Sequence, residues 1–594
     1  MEIKTKTYLG SHGAIVVFAL MFSILASFLN RAWMFDPYGW VDQWGYFGAA
    51  FFFPHLTEAV PDSPANGLIA VYLPSALLMK LFSPVVANYL RDLFVLFIST
   101  ATIGIVVGKA TTKKIGMAVI ALMISYQYFL TTAGSSYTDG AMLFYLSLSF
   151  ALLSWTQTQS ANRKNFGLIV FGVLYGLMVY TAVLGIVYVV PLYLFFFMDQ
   201  KQKEEKRSYW KDLSNFLKFS TLGLLVTTTT LQLIYLTYSS DFFFTSNIEK
   251  FFDYTADKVH HAPVFSVWLP GASWLVLPGT ISLAALGCLL TRIRSLIQLQ
   301  FSATDKLLIL APITFIMSIL IQLIFHLYSL QFLYFNQTLP IYFLSLGALI
   351  HQIISQKQEE IYWLTLSGVT AIAVLLFSRS IDFSSYSLTK VLMNALALHS
   401  SQLVLFLCFL VGSSVVFLAT RKPKLSPLAL SIVLVLSVFS FSPSYGCFLC
   451  YNSNAAALQP TPASSSEAIL RNVVSLSRLI DKIDRDRQAK LWFSESESLG
   501  PIFRQVNAVT YLNSPSSRVS KSFPAITDQG SPAGSESTGF SNTSTVILLS
   551  SDPASSQVGS LSATTAGFTF KKSNTFELHL SPAGTVFLTV LSSS

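Results

Sequence analysis

The sequence predicts an α-helical polytopic membrane bundle of about 13 spans, followed by a small α/β soluble domain. Three observations predict it. Of the 594 residues, 53% are hydrophobic and only 11% charged, against about 25% charged in an ordinary soluble domain. Short basic clusters alternate with apolar runs long enough to cross a ~30 Å hydrocarbon core. From Ser444 onward the composition turns abruptly to Ser, Thr, Asn, Pro and charged residues. The formal net charge of +9 sits in dispersed Lys and Arg clusters, which is a topology signal and excludes a nucleic-acid partner.

Lys4 and Lys6 precede an apolar run from Ala14 to Leu29, which reads as an uncleaved first span with the amino terminus inside. The basic clusters at Lys109, Lys113 and Lys114, at Arg163 and Lys164, at Lys201 to Lys211, at Arg292 and Arg294, at Lys357, and at Arg421, Lys422 and Lys424 are all expected to be cytoplasmic. That parity gives spans at 14–32, 91–108, 115–133, 140–156, 166–180, 182–198, 215–237, 271–290, 306–327, 336–355, 361–378, 402–419 and 425–443. The run Phe166 to Met198 is divided in two, because a single span there would put the clusters at Arg163 and Lys201 on opposite sides. The segment Asn66 to Phe82, broken by Pro74, is expected to lie along the membrane, since a crossing would invert every later cluster.

The outer face therefore holds residues 33 to 90, a turn near 134–139, 238–270, 379–401 and everything from Ser444. The chain divides into a membrane domain, 1–443, and a soluble extracytoplasmic domain, 444–594. In the latter, Ile469, Val473, Leu476, Leu479, Ile480 and Ile483 have the spacing of an amphipathic helix over 466–486. Strands are expected at 489–493, 508–512, 545–549, 568–571, 576–580 and 586–590, with a Ser- and Gly-rich insert at 514–544. Cys288 and Cys408 fall within spans as apolar filler. Cys447 and Cys450 lie where the chain leaves the membrane, and without a thioredoxin-like context they read as a structural disulfide.

Chemistry concentrates in the stretch Trp33 to Tyr46, WMFDPYGWVDQWGY, where Asp36 and Asp42 follow the first span. A carboxylate near a membrane helix end loses hydration unless it binds something or is back in water. Trp33, Trp40, Trp44 and Tyr46 also suit an interfacial aromatic belt. Asp36 precedes Pro37, which biases it toward fixing the chain. Asp42 lies in a Pro-free run in which, if helical, it shares a face with Tyr46. Asp139, in SSYTDG, either caps the next helix or serves as a second acidic site. Arg91, Lys258, His260, His261 and Arg379 are candidates to bind substrate phosphate. Arg91 and Arg379 could equally snorkel to lipid headgroups, and the two His have no third ligand at metal spacing. Gln322 and His326, one turn apart, read as an interhelical hydrogen-bonding pair.

An inside amino terminus, a long first outer loop with acidic residues just past the first span, an outer turn with Asp139, Arg91 opening NYLRDLFVLF and a soluble carboxy-terminal domain together resemble the GT-C class of membrane glycosyltransferases. The likeness lies mainly in residues 1–200, and the class includes protein O-mannosyltransferases and aminoarabinose transferases of lipid A. The resemblance implies a sugar donor carried on a polyprenyl phosphate and a lipid, glycan or protein acceptor. It gives the first acidic role, base or metal ligand, to Asp42 or Asp36, and the second to Asp139. A divalent ion, Mg or Mn, would sit on Asp42 and Asp139. The chain departs from the class in lacking an adjacent acidic pair and a D-x-D near Asp139. The bacterial plasma membrane is the expected location.

The same reaction follows from the residues. Phosphate is already a good leaving group, so the protonating carboxylate of a glycosidase is unnecessary and one base suffices, for which Asp42 is preferred. The main alternative is a transporter or lipid flippase, which should hold ionisable residues at span centres and show two similar halves. The acidic residues instead cluster outside, and no duplication is visible. A receptor would not need about 13 spans to anchor one domain.

Overall fold

The computed structural model describes residues 3–29, 41–53, 68–134, 138–198, 206–237, 275–291, 301–325, 335–354, 413–415, 417–418, 466–484, 489–493, 499, 502–503, 506, 509–510, 545–551, 560–563, 568–580 and 584–593. The chain forms two compact units, one made of Met1–Asn30, Asp92–Leu231 and Ile248–Gln459, the other of Arg31–Arg91, Gln232–Asn247 and Pro460–Ser594.

In order, the helices are α1 (Ile3–Leu29), α2 (Val41–Phe52), α3 (Ile69–Leu81), α4 (Pro84–Ala110), α5 (Lys113–Ser125), α6 (Gln127–Ala133), α7 (Thr138–Thr156), α8 (Ala161–Thr181), α9 (Val189–Phe197), α10 (Lys206–Leu236), α11 (Val276–Leu290), α12 (Ala303–Leu308), α13 (Leu310–Phe325), α14 (Leu339–Ile354) and α15 (Ser466–Ile483). Among the described residues, four stretches are helical, long and apolar enough to cross a membrane: Pro84–Ala110, Ala161–Thr181, Trp210–Leu236 and Ala303–Leu323. The chain is an integral membrane protein. On α10, Leu217, Leu222, Leu225, Val226 and Leu233 stay exposed, as lipid-facing side chains do. Expected spans 361–378 and 425–443, and all of 402–419 except five residues, lie outside the described residues.

The first unit is helical. A close crossing joins α8 to α10 through small residues, where a Cβ on Gly172 would stand 2.0 Å from the Ser220 carbonyl oxygen and one on Gly223 2.0 Å from that of Ile169. The backbones touch there, the usual way membrane helices gain contact when no hydrophobic drive separates helix from lipid. Thr227 Oγ1 donates to the Val173 carbonyl at 3.2 Å, and Lys164 pairs with Asp212 at 2.9 Å, tying the same two helices. Most hydroxyls in the bundle bond their own helix, as Thr100 does to Leu96 and Ser147 to Leu143, which removes the cost of carrying them into an apolar setting.

Two expected spans contain a residue in extended conformation. The segment 115–133 breaks at Tyr126, which is extended between α5 and α6 while its ring packs edge-on to Tyr128 and Phe343. The segment 182–198 begins with a 3-10 turn, Val183–Tyr188, after Ala182 adopts φ −152 and ψ 131. Gly185 lies against the Met178 carbonyl, 2.8 Å from where a Cβ would be, so the chain turns tightly there before α9 starts.

In the second unit, α15 lays Ile469, Val473, Leu476 and Ile480 against a five-stranded sheet. The sheet consists of β1 (Lys490–Phe493), β2 (Thr545–Ser550), β3 (Ser560–Ala563), β4 (Phe568–Leu580) and β5 (Gly584–Ser593), in spatial order β1-β2-β5-β4-β3. Among the described strands, β1 and β2 run parallel and the other pairs antiparallel. Leu491, Ile547, Leu549, Leu580, Val586, Leu588 and Val590 supply the inner face. The strand expected at 508–512 is instead helical at Val509 and Thr510, with Thr510 Oγ1 bonding the Val506 carbonyl one turn back. The strands expected at 568–571 and 576–580 are one, β4, which runs through a register shift between Lys572 and Asn574.

The core of this unit also takes in Trp44 and Phe47 of α2, both buried, and Val85. Full burial of such a side chain is worth about 1.5–3 kcal/mol. Gly48 sits where a Cβ would meet the Val509 backbone, 2.3 Å from its carbonyl oxygen, so α2 and the chain at Val509 are in backbone contact. Asn66 to Phe82 contains α3 with Pro74 inside it, and α3 packs on α2.

Candidate active site

Helix α7 begins at Thr138, and Asp139 lies in its first turn, where a carboxylate meets the positive end of the helix dipole. Asp139 is therefore inside the helix and is not the cap before Gly140. It is 2% exposed, in the first unit. Its partner comes from 198 residues along the chain. Gln337 Nε2 donates to Asp139 Oδ1 at 2.5 Å, and Thr138 bonds the same carboxyl.

Gln337 owes its position to the turn that leads into α14. Thr338 N–H and Oγ1 both donate to the Phe335 carbonyl, at 3.0 and 2.6 Å, and Ile341 N–H donates to the Thr338 carbonyl at 2.9 Å. Pro340 follows in the first helical turn, where a missing N–H costs nothing. The turn presents Asn336, Gln337 and Thr338, each buried to within 1%. Neither side-chain polar atom of Asn336, nor Gln337 Oε1, has a hydrogen-bond partner among the described residues. The buried phenols of Tyr188 and Tyr342 lie nearby, Tyr188 close to Asp139 and Tyr342 close to Thr338 and Tyr188. A carboxyl, two carboxamides, two threonine hydroxyls and two phenols thus gather inside an otherwise apolar bundle. Such a set can orient hydroxyl groups. Among the described residues no ion pair is made to Asp139.

The other expected site residues fall as follows. Asp42 is the second residue of α2, so the run is helical as the spacing required, although its side chain lies outside the described residues. Tyr46, one turn later, is buried, and Arg91 on α4 is half-buried. Asp42, Tyr46 and Arg91 belong to the second unit, Asp139 to the first. Asp36, Lys258, His260, His261, Arg379, Cys447 and Cys450 lie outside the described residues, as do His326 and Cys408. Gln322 is buried on α13, and Cys288 is a buried thiol on α11. Among the described residues no three His, Cys, Asp or Glu side chains converge, and the donors near Asp139 are neutral. The other expected ligand of a Mg or Mn ion, the Asp42 side chain, lies outside the described residues.

The sequence reading passed over Asn336 and Gln337. The signal was present as Asn-Gln-Thr interrupting an apolar run ahead of Leu339 and Pro340. It also passed over Asp92, fully buried on α4 one residue after Arg91.

No protein-family model and no curated protein matches the chain. Among solved structures, the crystal structure of ArnT from Cupriavidus metallidurans bound to undecaprenyl phosphate is similar, with a TM-score of 0.45 and 12% identity, over 98% of this chain and 98% of that one. The apo crystal structure of the same ArnT gives a TM-score of 0.45 and 12% identity over 95% of this chain and 97% of that one.

Proposed function

We propose that the chain is a membrane glycosyltransferase that moves a sugar from a polyprenyl-phosphate donor to an acceptor hydroxyl on the outer face of a bacterial plasma membrane. The observation that carries this reading is the Asp139 carboxyl, buried at the start of α7 and held by the Gln337 amide. An ionisable group in such a setting costs several kcal/mol (roughly 2.5 or more in membrane insertion measurements), so its retention points to a task. The acidic residues just past the first span and the GT-C resemblance name that task.

In this mechanism Asp42 is the base. Its carboxylate takes the proton of the acceptor hydroxyl as the oxygen attacks the anomeric carbon, and the bond from that carbon to the phosphate oxygen breaks. The polyprenyl phosphate leaves as an anion and needs no proton. The charge it develops is met by cations, and the chain's candidates are Arg91, Lys258, His260, His261 and Arg379. Asp139 binds a hydroxyl of the substrate, with Gln337 and Thr138 fixing its rotamer. A lipid, glycan or protein could supply the acceptor.

The test is a comparison of Asp42→Asn and Asp139→Asn in purified protein. Asp42→Asn should cut turnover at least ~10²-fold with donor binding kept, as an interaction made mainly in the transition state requires. Asp139→Asn should weaken donor or acceptor binding as well. Near-normal turnover in a folded Asp42→Asn variant refutes the base, and normal behaviour of both variants refutes the site.

A further inference from the structure

We infer that the turn Asn336–Thr338 is a recognition site for the hydroxyls of a polyhydroxylated ligand, which in the reading above, on which this inference rests, is the sugar ring of the donor. Asn336 is 0% exposed and neither its amide nitrogen nor its carbonyl oxygen has a partner among the described residues. Gln337 is 0% exposed and spends Nε2 on Asp139, while its Oε1 has no partner among the described residues. Each unmet group carries a desolvation penalty that an apolar side chain of similar volume would avoid. A fold assembled for stability alone would place Leu at 336.

The donors and acceptors on the turn select the ligand. A carboxamide offers two N–H donors and one acceptor oxygen, and a sugar hydroxyl both donates and accepts, so vicinal hydroxyls could bridge Asn336 and Gln337 Oε1. Asp139 keeps lone pairs beyond the one Gln337 engages. An anion is the wrong occupant, because among the described residues no ion pair brings a cation here. A neutral ring bearing hydroxyls can donate to the carboxyl and carboxamide oxygens and accept from the Asn336 amide.

The experiment uses the full chain in detergent and follows thermal unfolding of wild type and Asn336→Leu in three conditions: without lipid, with decaprenyl phosphate, and with decaprenyl phosphate carrying mannose, glucose or arabinose. For wild type at least one sugar-bearing lipid should raise the melting temperature beyond the rise given by bare decaprenyl phosphate. Asn336→Leu should melt at or above wild type without lipid, keep the rise from the bare lipid and lose the extra rise from the sugar. The inference is overturned if Asn336→Leu fails to fold or melts lower without lipid, since the amide would then serve the fold. It is overturned equally if the variant keeps the sugar-dependent rise, or if wild type responds alike to bare and sugar-bearing lipids. If neither lipid shifts wild type, the donor assignment itself falls and the site with it.

Discussion

Replacing Gly48 with alanine probes how the helix that carries Asp42 is held. The new Cβ would stand 2.3 Å from the Val509 carbonyl oxygen and 2.9 Å from the Val509 C and Cα atoms. All three are backbone atoms, which cannot rotate aside, so either α2 or the chain at Val509 must move. Overpacking of this kind costs about 1–3 kcal/mol, and a backbone obstacle belongs at the upper end. At roughly 2–4 °C per kcal/mol for a unit of about this size, the melting temperature should fall by about 4–12 °C. The displacement should also shift Asp42, since it lies six residues earlier on the same helix. The assay is thermal unfolding with turnover measured on the folded fraction, and Gly13→Ala is the control. Nothing lies within 4 Å of a Cβ at Gly13, on α1, so that change should be neutral or stabilising by up to about 1 kcal/mol. A Gly48→Ala protein as stable and as active as Gly13→Ala would refute the contact.

Four further outcomes are expected. Gly172→Ala and Gly223→Ala should each destabilise the α8–α10 crossing by about 1–3 kcal/mol, since each Cβ meets a carbonyl at 2.0 Å, and unfolding in detergent with denaturant reads this directly. Asp36→Asn should lower expression or thermal stability more than turnover, because its place before Pro37 suits it to fixing the chain; if it proves the inactive variant, the roles of Asp36 and Asp42 exchange. The Cys447→Ser and Cys450→Ser double variant should keep most activity, and loss of it in folded protein would make the pair more than a structural disulfide. Cysteines placed at Asp62 and Ser465 should both react with an impermeant reagent from outside intact cells, and protection of either would break the topology drawn from the basic clusters.

That the chain is a helical membrane protein was legible because apolar length is a long-range, redundant signal. The breaks inside it were not. Tyr126 and Ala182 interrupt helices without a Pro or a polar run to mark them, and only the packing of the Tyr126 ring and the Gly185 backbone shows why the chain turns. The amphipathic stripe of α15 was visible because Ile469, Val473, Leu476 and Ile480 repeat at helical spacing. Val509 read as strand because a short apolar run has no period of its own. At the candidate site, Asp139 was legible as a carboxylate at the edge of a span. Its partner was not, since Gln337 lies far along the chain and only the fold brings the two together. The packing of α2 into one core with α15 and the sheet was equally out of reach, because it depends on contacts between segments more than 400 residues apart.

The central claim is glycosyl transfer from a lipid phosphate. It is tested most directly by incubating the purified protein with a panel of radiolabelled polyprenyl-phosphate sugars and an extract of acceptor lipids, glycans and proteins. The account predicts that at least one donor is consumed, with free polyprenyl phosphate released and label appearing in an acceptor, and that Asp42→Asn abolishes both. Movement of an intact sugar or sugar lipid across the membrane of proteoliposomes, with no polyprenyl phosphate released from any donor, would contradict it and make the chain a transporter or flippase.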